Sequence, residues 1–465
     1  MIKKIDINNF RSILESSVDL QKLTVIVGAN ATGKSNLIKA VDFISDLAEH
    51  GLQESVYKRG GFGEILPKQL NTIYDQEISI KLNFELEPPS NWIKHSLPPL
   101  SAEYEIGFIR TKRNPLKITK ESLTANSILL LSYYLEKNLD DDDKKDETLT
   151  IDEASLLKYK ESKIVFTRDR KNNIQYDINF KLTKEHNSLF MGWLGFSRFL
   201  KQNEKAFKGS EIQKLVKSLL NNLKSDDKKS ELPILSTDRA IINFNSHLRK
   251  ILNEIRSYGR YDLLINELRQ EQSISSEDKV SVTGNNMPSV VKRFAKENKT
   301  GWSRVITTMS NISPYFSNVY SESLRAGKEY LLFKEVFGGR NIEAWESSDG
   351  TLRALAILIS LEAHKSGSTI LIEEPEHGLH PWAVKELISH IREVVELRNL
   401  QVILTTHSQQ VLENIEKTEL LITERNETGT HYSTIDSVIP NADISMGEIG
   451  ELWTRGLLKG VPTTF

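Results

Sequence analysis

The 465-residue sequence contains no cysteine. Disulfides, cysteine-ligated zinc, iron–sulfur clusters and thiol nucleophiles are excluded, and a reducing compartment fits. Long apolar runs are missing too. The best stretches, such as 354–361, reach about half of the ~18 residues that a spanning helix needs. The opening Met1-Ile2-Lys3-Lys4-Ile5-Asp6 holds no uninterrupted apolar signal core. No membrane attachment is expected, and the expected location is the cytoplasm. Nor is there a surplus of one charge: 61 Lys+Arg stand against 63 Asp+Glu, a net of -2. That excludes a basic coat for nucleic acid while leaving room for a local patch. There is no internal repeat, and the single biased tract is the acidic run 140–147, read as a solvated loop.

What is present suffices for two or three domains with a sizeable core: 38% apolar and 27% charged residues. Residues 2–7 alternate as a half-buried strand does, and 23–27 form a short β-branched run that reads as a buried strand. A helical pattern follows over 36–49. Further strands are expected at 77–86 and 102–109, with Pro88, Pro89, Pro98 and Pro99 in the connection. Residues 164–167 and 174–182 suggest a hairpin, 187–271 read as mostly helical, and 273–281 as a polar loop. Towards the end come an apolar helix (352–364), a buried strand (369–372), an amphipathic helix (382–397) and another buried strand (402–405).

Between the strand 23–27 and its helix lies Gly28-Ala29-Asn30-Ala31-Thr32-Gly33-Lys34-Ser35. This is a complete phosphate-binding loop sequence. Its glycines let the backbone curl so that successive N–H groups point at one anion, and the helix adds its positive end. Lys34 can reach β- and γ-phosphates, and the Ser35 hydroxyl can bind Mg²⁺.

A second candidate is Ile370-Leu371-Ile372-Glu373-Glu374-Pro375-Glu376. An apolar strand ending in a carboxylate beside such a loop can hold the Mg²⁺ shell, which assigns Glu373 to the metal. A second carboxylate can polarise water, which assigns Glu374 as general base. Lys34 and Glu373 are 339 residues apart, so a large insertion must divide the nucleotide domain. Ser347-Ser348-Asp349-Gly350-Thr351 opens the apolar helix before the acids. Thirty-three residues beyond Glu374, the strand 402–405 ends in Thr406-His407-Ser408. Plainer readings exist for single residues. His407 could satisfy a local turn, Ser348 could be a helix cap, and Glu376 reads as a helix-start charge. His377, His380, Glu373 and Glu374 do not read as a metal cluster, and Trp453, Leu457 and Leu458 read as core.

In this order the motifs resemble ABC-type ATPase heads of the SMC, RecF and Rad50 group. Within it the chain looks most like the compact AAA15/AAA21 group linked to overcoming-lysogenisation-defect proteins and to anti-phage systems. The strings are Ile7-Asn8-Asn9-Phe10-Arg11-Ser12, Ser348 to Ala356, Glu373 to Pro381, and Gly450-Glu451-Leu452-Trp453-Thr454-Arg455-Gly456. The resemblance implies an α/β head built from both chain ends around a mainly helical insertion: 1–120, then 121–284 for dimerisation or partner binding, then 285–465. It implies ATP and Mg²⁺ as ligands. Arg11, Gly28, Asn30, Gly33, Lys34, Ser35 and Asn36 would line the phosphates, with Gln69 as a Q-loop candidate. Ser348 and Gly350 resemble the signature that meets the γ-phosphate of a second copy, 377–381 the loop at that seam, and His407 the switch histidine. Glu374, His407 and Lys34 would carry catalysis. The departures are Glu373 for the usual Asp, Thr351 for the signature's Gln and His380 for the seam Asp; they leave a slow or conditional turnover as consistent as a fast one.

The 58 residues after His407 leave no room for a TOPRIM nuclease, and no His-Asn-His string or second acidic cluster occurs. Cutting of nucleic acid is therefore expected of a partner chain. The resemblance is to the ATPase subunit of Septu-type or PARIS-type systems, with a His-Asn-His or TOPRIM nuclease respectively. Two alternatives stand beside it: a RecF-like repair ATPase that touches DNA itself, and a nucleotide-gated structural protein with negligible hydrolysis.

Overall fold

The computed structural model describes residues 1–70, 72–86, 100–112, 116–126, 163–168, 174–179, 255, 258–440 and 444–460. The strands, in chain order, are β1 (Ile2–Phe10), β2 (Ile13–Asp19), β3 (Leu23–Val27), β4 (Ile78–Leu86), β5 (Leu100–Ile109), β6 (Lys117–Asn126), β7 (Lys163–Arg168), β8 (Ile174–Asn179) and β9 (Gly259–Tyr261). Then come β10 (Gln272–Ser273), β11 (Phe316–Leu324), β12 (Lys328–Glu335), β13 (Asn341–Glu343), β14 (Thr369–Glu373), β15 (Gln401–Thr406), β16 (Leu420–Asn426) and β17 (Gly429–Ser433). The chain divides into two compact units. One comprises Met1, Ser12–Asp42 and Ser257–Phe465; the other Ile2–Arg11 and Phe43–Arg256.

The first unit is built on the sheet β17-β16-β3-β15-β14-β9. All neighbours from β16 to β9 run parallel, and only β17 turns back. A parallel sheet covered on both faces demands continuous apolar strands, and every residue of β3 and β15 is buried. The helix Asp349–Ala363 has twelve of its fifteen residues buried, so it is a core helix. Helices Lys299–Ile312 and Pro381–Leu397 pack on it and on each other. Where these three meet, Glu362 is fully buried and takes both 2.6 Å bonds of the Arg304 fork. A smaller antiparallel sheet, β10-β12-β11 with β13 beside β12, completes the unit.

The second unit is antiparallel, in the order β1-β4-β5-β6-β7-β8. Ile78, Ile80, Leu82 and Phe84 of β4 point inward while Ser79, Lys81 and Asn83 alternate with them, as period two requires. Its aromatic core links Phe10 to Phe43 and Phe43 to Phe108, with centroids 5.7 and 5.6 Å apart.

The mixed α/β class follows the expectation, and so do the strands at 2–7, 23–27, 77–86 and 102–109 and the hairpin near 164–179. Several features differ. Strand β2, in the turn-rich Ile13-Leu14-Glu15-Ser16-Ser17-Val18-Asp19, carries too few apolar residues to signal itself. Within the stretch read as helical, Gly259–Tyr261 is a strand paired with β14, so sheet material begins well before residue 285. Three residues are too few for any period to show. The acidic run 140–147 and residues 187–254 lie outside the described residues. Among the described residues no helix is long and apolar enough to cross a membrane.

Candidate functional site

Parallel strands deliver whatever follows them to one edge of the sheet, and that edge is where such sheets bind ligands. Here β3, β15 and β14 lie side by side, with Val27 opposite Thr406 and Thr405 opposite Glu373. The phosphate-type loop, the Thr406-His407-Ser408 turn and the acids Glu373-Glu374 therefore leave adjacent strand ends. Their wide sequence spacing is a consequence of strand order.

The loop Gly28–Ser35 curls with Gly33 at φ +111°. Buried Lys34 donates from Nζ to the carbonyls of Gly28 (2.8 Å) and Ala29 (3.0 Å). Burial lowers its pKa, and the charges of Glu374 and Glu376 partly offset that. Ser35 is half-buried, Asn30 is exposed, and Asn36 donates from Nδ2 to Ser12 Oγ at 2.6 Å.

At the strand ends, Glu374 adopts φ +48°, a left-handed backbone uncommon for a side chain of its size. The turn is pinned because the Glu374 N–H donates to the Thr405 carbonyl at 3.0 Å and His377 N–H to that of Glu374. The His407 Nε2 then stands 2.8 Å from Glu374 Oε1, with both side chains partly exposed. Glu376 is no helix-start charge, because the next helix begins at Pro381. Its Oε1 accepts from Thr406 Oγ1 (2.6 Å) and from the His407 N–H (3.0 Å), which ties the acid turn to the histidine turn.

Glu373 faces Arg260 of β9 at 3.5 Å, and the same guanidinium donates to Asp42 of the helix Lys34–His50 at 3.2 Å. Neither Arg260 nor Asp42 stood out in the sequence. The donor set fits a Mg²⁺–triphosphate: the Ser35 hydroxyl and the Glu373 carboxylate offer hard oxygens. The Gly28 and Ala29 carbonyls are taken by Lys34, and the N–H groups of such a loop are the donors that would face an anion.

Ser348 caps the helix Asp349–Ala363, its Oγ accepting from the Thr351 N–H at 3.1 Å. Gly350 is buried, and a Cβ there would lie 2.3 Å from the Gly378 carbonyl, so the Ser-x-Gly segment and the 377–381 segment pack backbone to backbone. Asp349 receives a 2.6 Å bond from Arg269, which also donates to the Trp345 carbonyl. His380 occupies the N-cap position of the helix Pro381–Leu397, with no capping bond from its side chain. Arg11 (φ +55°, N–H to the Ile65 carbonyl at 2.6 Å) and Gln69 belong to the other unit. Leu458 is fully buried and Leu457 is 57% exposed; Trp453 packs against the core. No group of three or more His, Asp or Glu suited to a metal occurs among the described residues.

Comparison with known proteins defines the class. The AAA ATPase domain family (AAA_15) matches residues 1–412, and the chain belongs to that family. The fold is similar to three solved SMC heads. An SMC head with coiled coil and joint from Pyrococcus yayanosii has a TM-score of 0.44 and 11% identity, over 98% of this chain and 99% of that one. An SMC head bound to the C-terminal domain of ScpA, from Pyrococcus furiosus, gives 0.42 and 14%, over 98% and 99%. The SMC head domain from Thermotoga maritima gives 0.38 and 11%, over 93% and 98%. No curated protein matches the chain.

Proposed function

We propose that this AAA ATPase domain protein binds Mg²⁺–ATP at Gly28–Ser35 and hydrolyses it at the edge formed by β3, β15 and β14. The observation that carries the reading is the Glu374–His407 pair, 2.8 Å apart on the strand ends next to a complete phosphate loop. Loop N–H groups and Lys34 hold the phosphates. Lys34 leaves the Gly28 and Ala29 carbonyls for the phosphate oxygens, a short exchange of acceptors. Ser35 and Glu373 would hold the cation, which neutralises charge on the β- and γ-phosphates when bound. Glu374 orients the attacking water and takes its proton. His407 fixes the Glu374 carboxylate and supplies a donor towards the γ-phosphate. Exposed Ser348, at the N-terminus of its helix, fits a role in meeting the nucleotide of a second copy, so two heads would close on two ATP molecules.

At the level of the cell, we infer a cytoplasmic sensor and scaffold of an anti-phage complex, in which head closure on ATP controls a separate nuclease of His-Asn-His or, second, TOPRIM type. The strings Glu373 to Pro381 and Ser348 to Ala356 support it. Lys34→Ala should abolish ATP binding, and unchanged affinity would sink the loop assignment. Tagged Glu374→Gln protein, expressed with its flanking genes, should trap ATP and carry a stoichiometric nuclease in native mass spectrometry. A bare dimer whose wild-type ATPase is stimulated by DNA would replace that reading with direct action on DNA.

A further inference from the structure

The phosphate loop needs its N–H groups turned inward on one anion, and the peptide planes then turn the carbonyls outward. Each outward carbonyl in an irregular segment needs a donor, from water or from protein. Lys34 serves the Gly28 and Ala29 carbonyls, and four further donors come from one hairpin, β16–β17. Thr423 Oγ1 donates to the Val27 carbonyl at 3.1 Å, and Arg425 reaches the Ala31 carbonyl at 3.4 Å. Thr430 Oγ1 donates to the Thr32 carbonyl at 2.6 Å, and Tyr432 OH to that of Gly33 at 2.9 Å. The contacts are tight as well as polar. A Cβ at Gly28 would lie 2.2 Å from Thr423 Oγ1, and one at Gly33 2.4 Å from Thr430 Oγ1. The family match ends at residue 412, so the whole hairpin lies beyond it.

We propose that the hairpin β16–β17 is a brace that holds the loop Gly28–Ser35 in its phosphate-binding curl, with Thr430 and Tyr432 as positioning residues. The proposal rests on the nucleotide-binding reading above. A loop fixed beforehand loses little conformational freedom when the ligand arrives, so its affinity rises without any new ligand contact. Four donors on two paired strands also move together. Three of these four bonds end on carbonyls of the loop and the fourth on Val27, the residue that leads into it, so the brace acts where the phosphate chain binds. Thr430 Oγ1 also meets Ser12 Oγ at 2.6 Å.

The test compares ATP and inorganic tripolyphosphate affinity for wild type, Tyr432→Phe, Thr430→Val and Thr430→Ser, with Lys34→Ala as reference. Tyr432→Phe keeps the ring and loses one donor. Thr430→Val keeps the shape and loses the donor, while Thr430→Ser retains it. The expected result is that Tyr432→Phe and Thr430→Val each weaken both ligands roughly five- to tenfold, with Thr430→Ser close to wild type. KM for ATP should rise with kcat at saturation little changed, a split that a general loss of folding does not produce. Affinities within twofold of wild type for both hydroxyl deletions, alongside lost binding in Lys34→Ala, overturn the brace and leave the nucleotide site standing. Thr430→Ser as weak as Thr430→Val also overturns it, because packing then matters and the donor does not. Unchanged affinity in Lys34→Ala overturns the nucleotide reading and the brace with it.

Discussion

The first unit holds two glutamate–histidine pairs that share their chemistry and differ in their surroundings. Glu362 and His390 lie under three helices, almost without solvent, 3.8 Å apart. Arg304 grips Glu362 through two 2.6 Å bonds, Arg398 stands 3.6 Å away, and His390 Nδ1 meets Thr308 Oγ1 at 2.8 Å. Arg398 further donates to the carbonyls of Glu362 and His364. Glu374 and His407 sit 2.8 Å apart on two strand ends, partly open to solvent and without an arginine in hydrogen-bond contact. Burial with arginine fixes a charge and makes it a tie between helices. Half-exposure at a strand edge leaves the carboxylate open to solvent and to whatever binds there. The residue types do not separate the two roles; the environment does.

Neutralising each glutamate in turn should separate the two pairs most strongly. Glu374→Gln should lower kcat by about 10²- to 10⁴-fold, the range for loss of a general base, with the melting temperature unchanged. Phosphate release and a thermal melt decide it: a wild-type rate would remove Glu374 from the mechanism. Glu362→Ala should do the reverse. It leaves Arg304 and Arg398 without their carboxylate in the interior, which costs about 3–5 kcal/mol. The melt should drop by several degrees, while nucleotide turnover per folded molecule stays near normal. If Glu362→Ala melts like wild type, the buried cluster is not a tie.

Acid separates the pairs next. Desolvation pushes His390 down to about 4 from its ordinary 6.5, and Arg304 adds to this although Glu362 opposes it. The folded state therefore binds fewer protons than the unfolded chain. Stability from this group is complete above pH 6.5 and is lost as pH falls from 6.5 to about 4. The whole window is worth ~3 kcal/mol, at about 1.4 kcal/mol per pKa unit. Melts of wild type and His390→Gln across pH 7.5 to 4.5 should converge on the acid side, since the variant lacks the titrating group. Parallel curves would show that His390 contributes no proton linkage.

Legibility followed the same division. Gly28 to Ser35, Glu373-Glu374 and Thr406-His407 could be read because each motif sits at the end of its own apolar strand, where a local pattern announces both element and chemistry. The strand order β16-β3-β15-β14-β9 could not be read, because pairing over hundreds of residues leaves no local trace. That order is what brings Arg260 to Glu373 and Thr423 and Thr430 to the loop. Threonine and tyrosine are ordinary strand residues, so nothing in Thr423 or Tyr432 marks a donor aimed at a distant carbonyl. Glu376 was visible as a charge yet misread, since its partners lie one strand over.

The smallest expected effect concerns how the Glu374–His407 edge is held. Buried Thr406 gives Glu376 one of two bonds, and the His407 N–H gives the other. Thr406→Val keeps the shape and deletes only the hydroxyl, so the loss should be about 1 kcal/mol. Glu376 then retains the His407 N–H, and the histidine turn stays in place with a looser anchor. Turnover should fall only a few fold, with KM for ATP unchanged. Removing Glu376 itself, as Glu376→Ala, takes both bonds and should widen the loss in kcat well beyond that of Thr406→Val. Equal effects from the two variants would mean that the Thr406 hydroxyl is the whole anchor and that the backbone bond to His407 adds nothing. A graded pair of effects, both in kcat and neither in KM, places Glu376 behind His407 as the residue that aims it at Glu374.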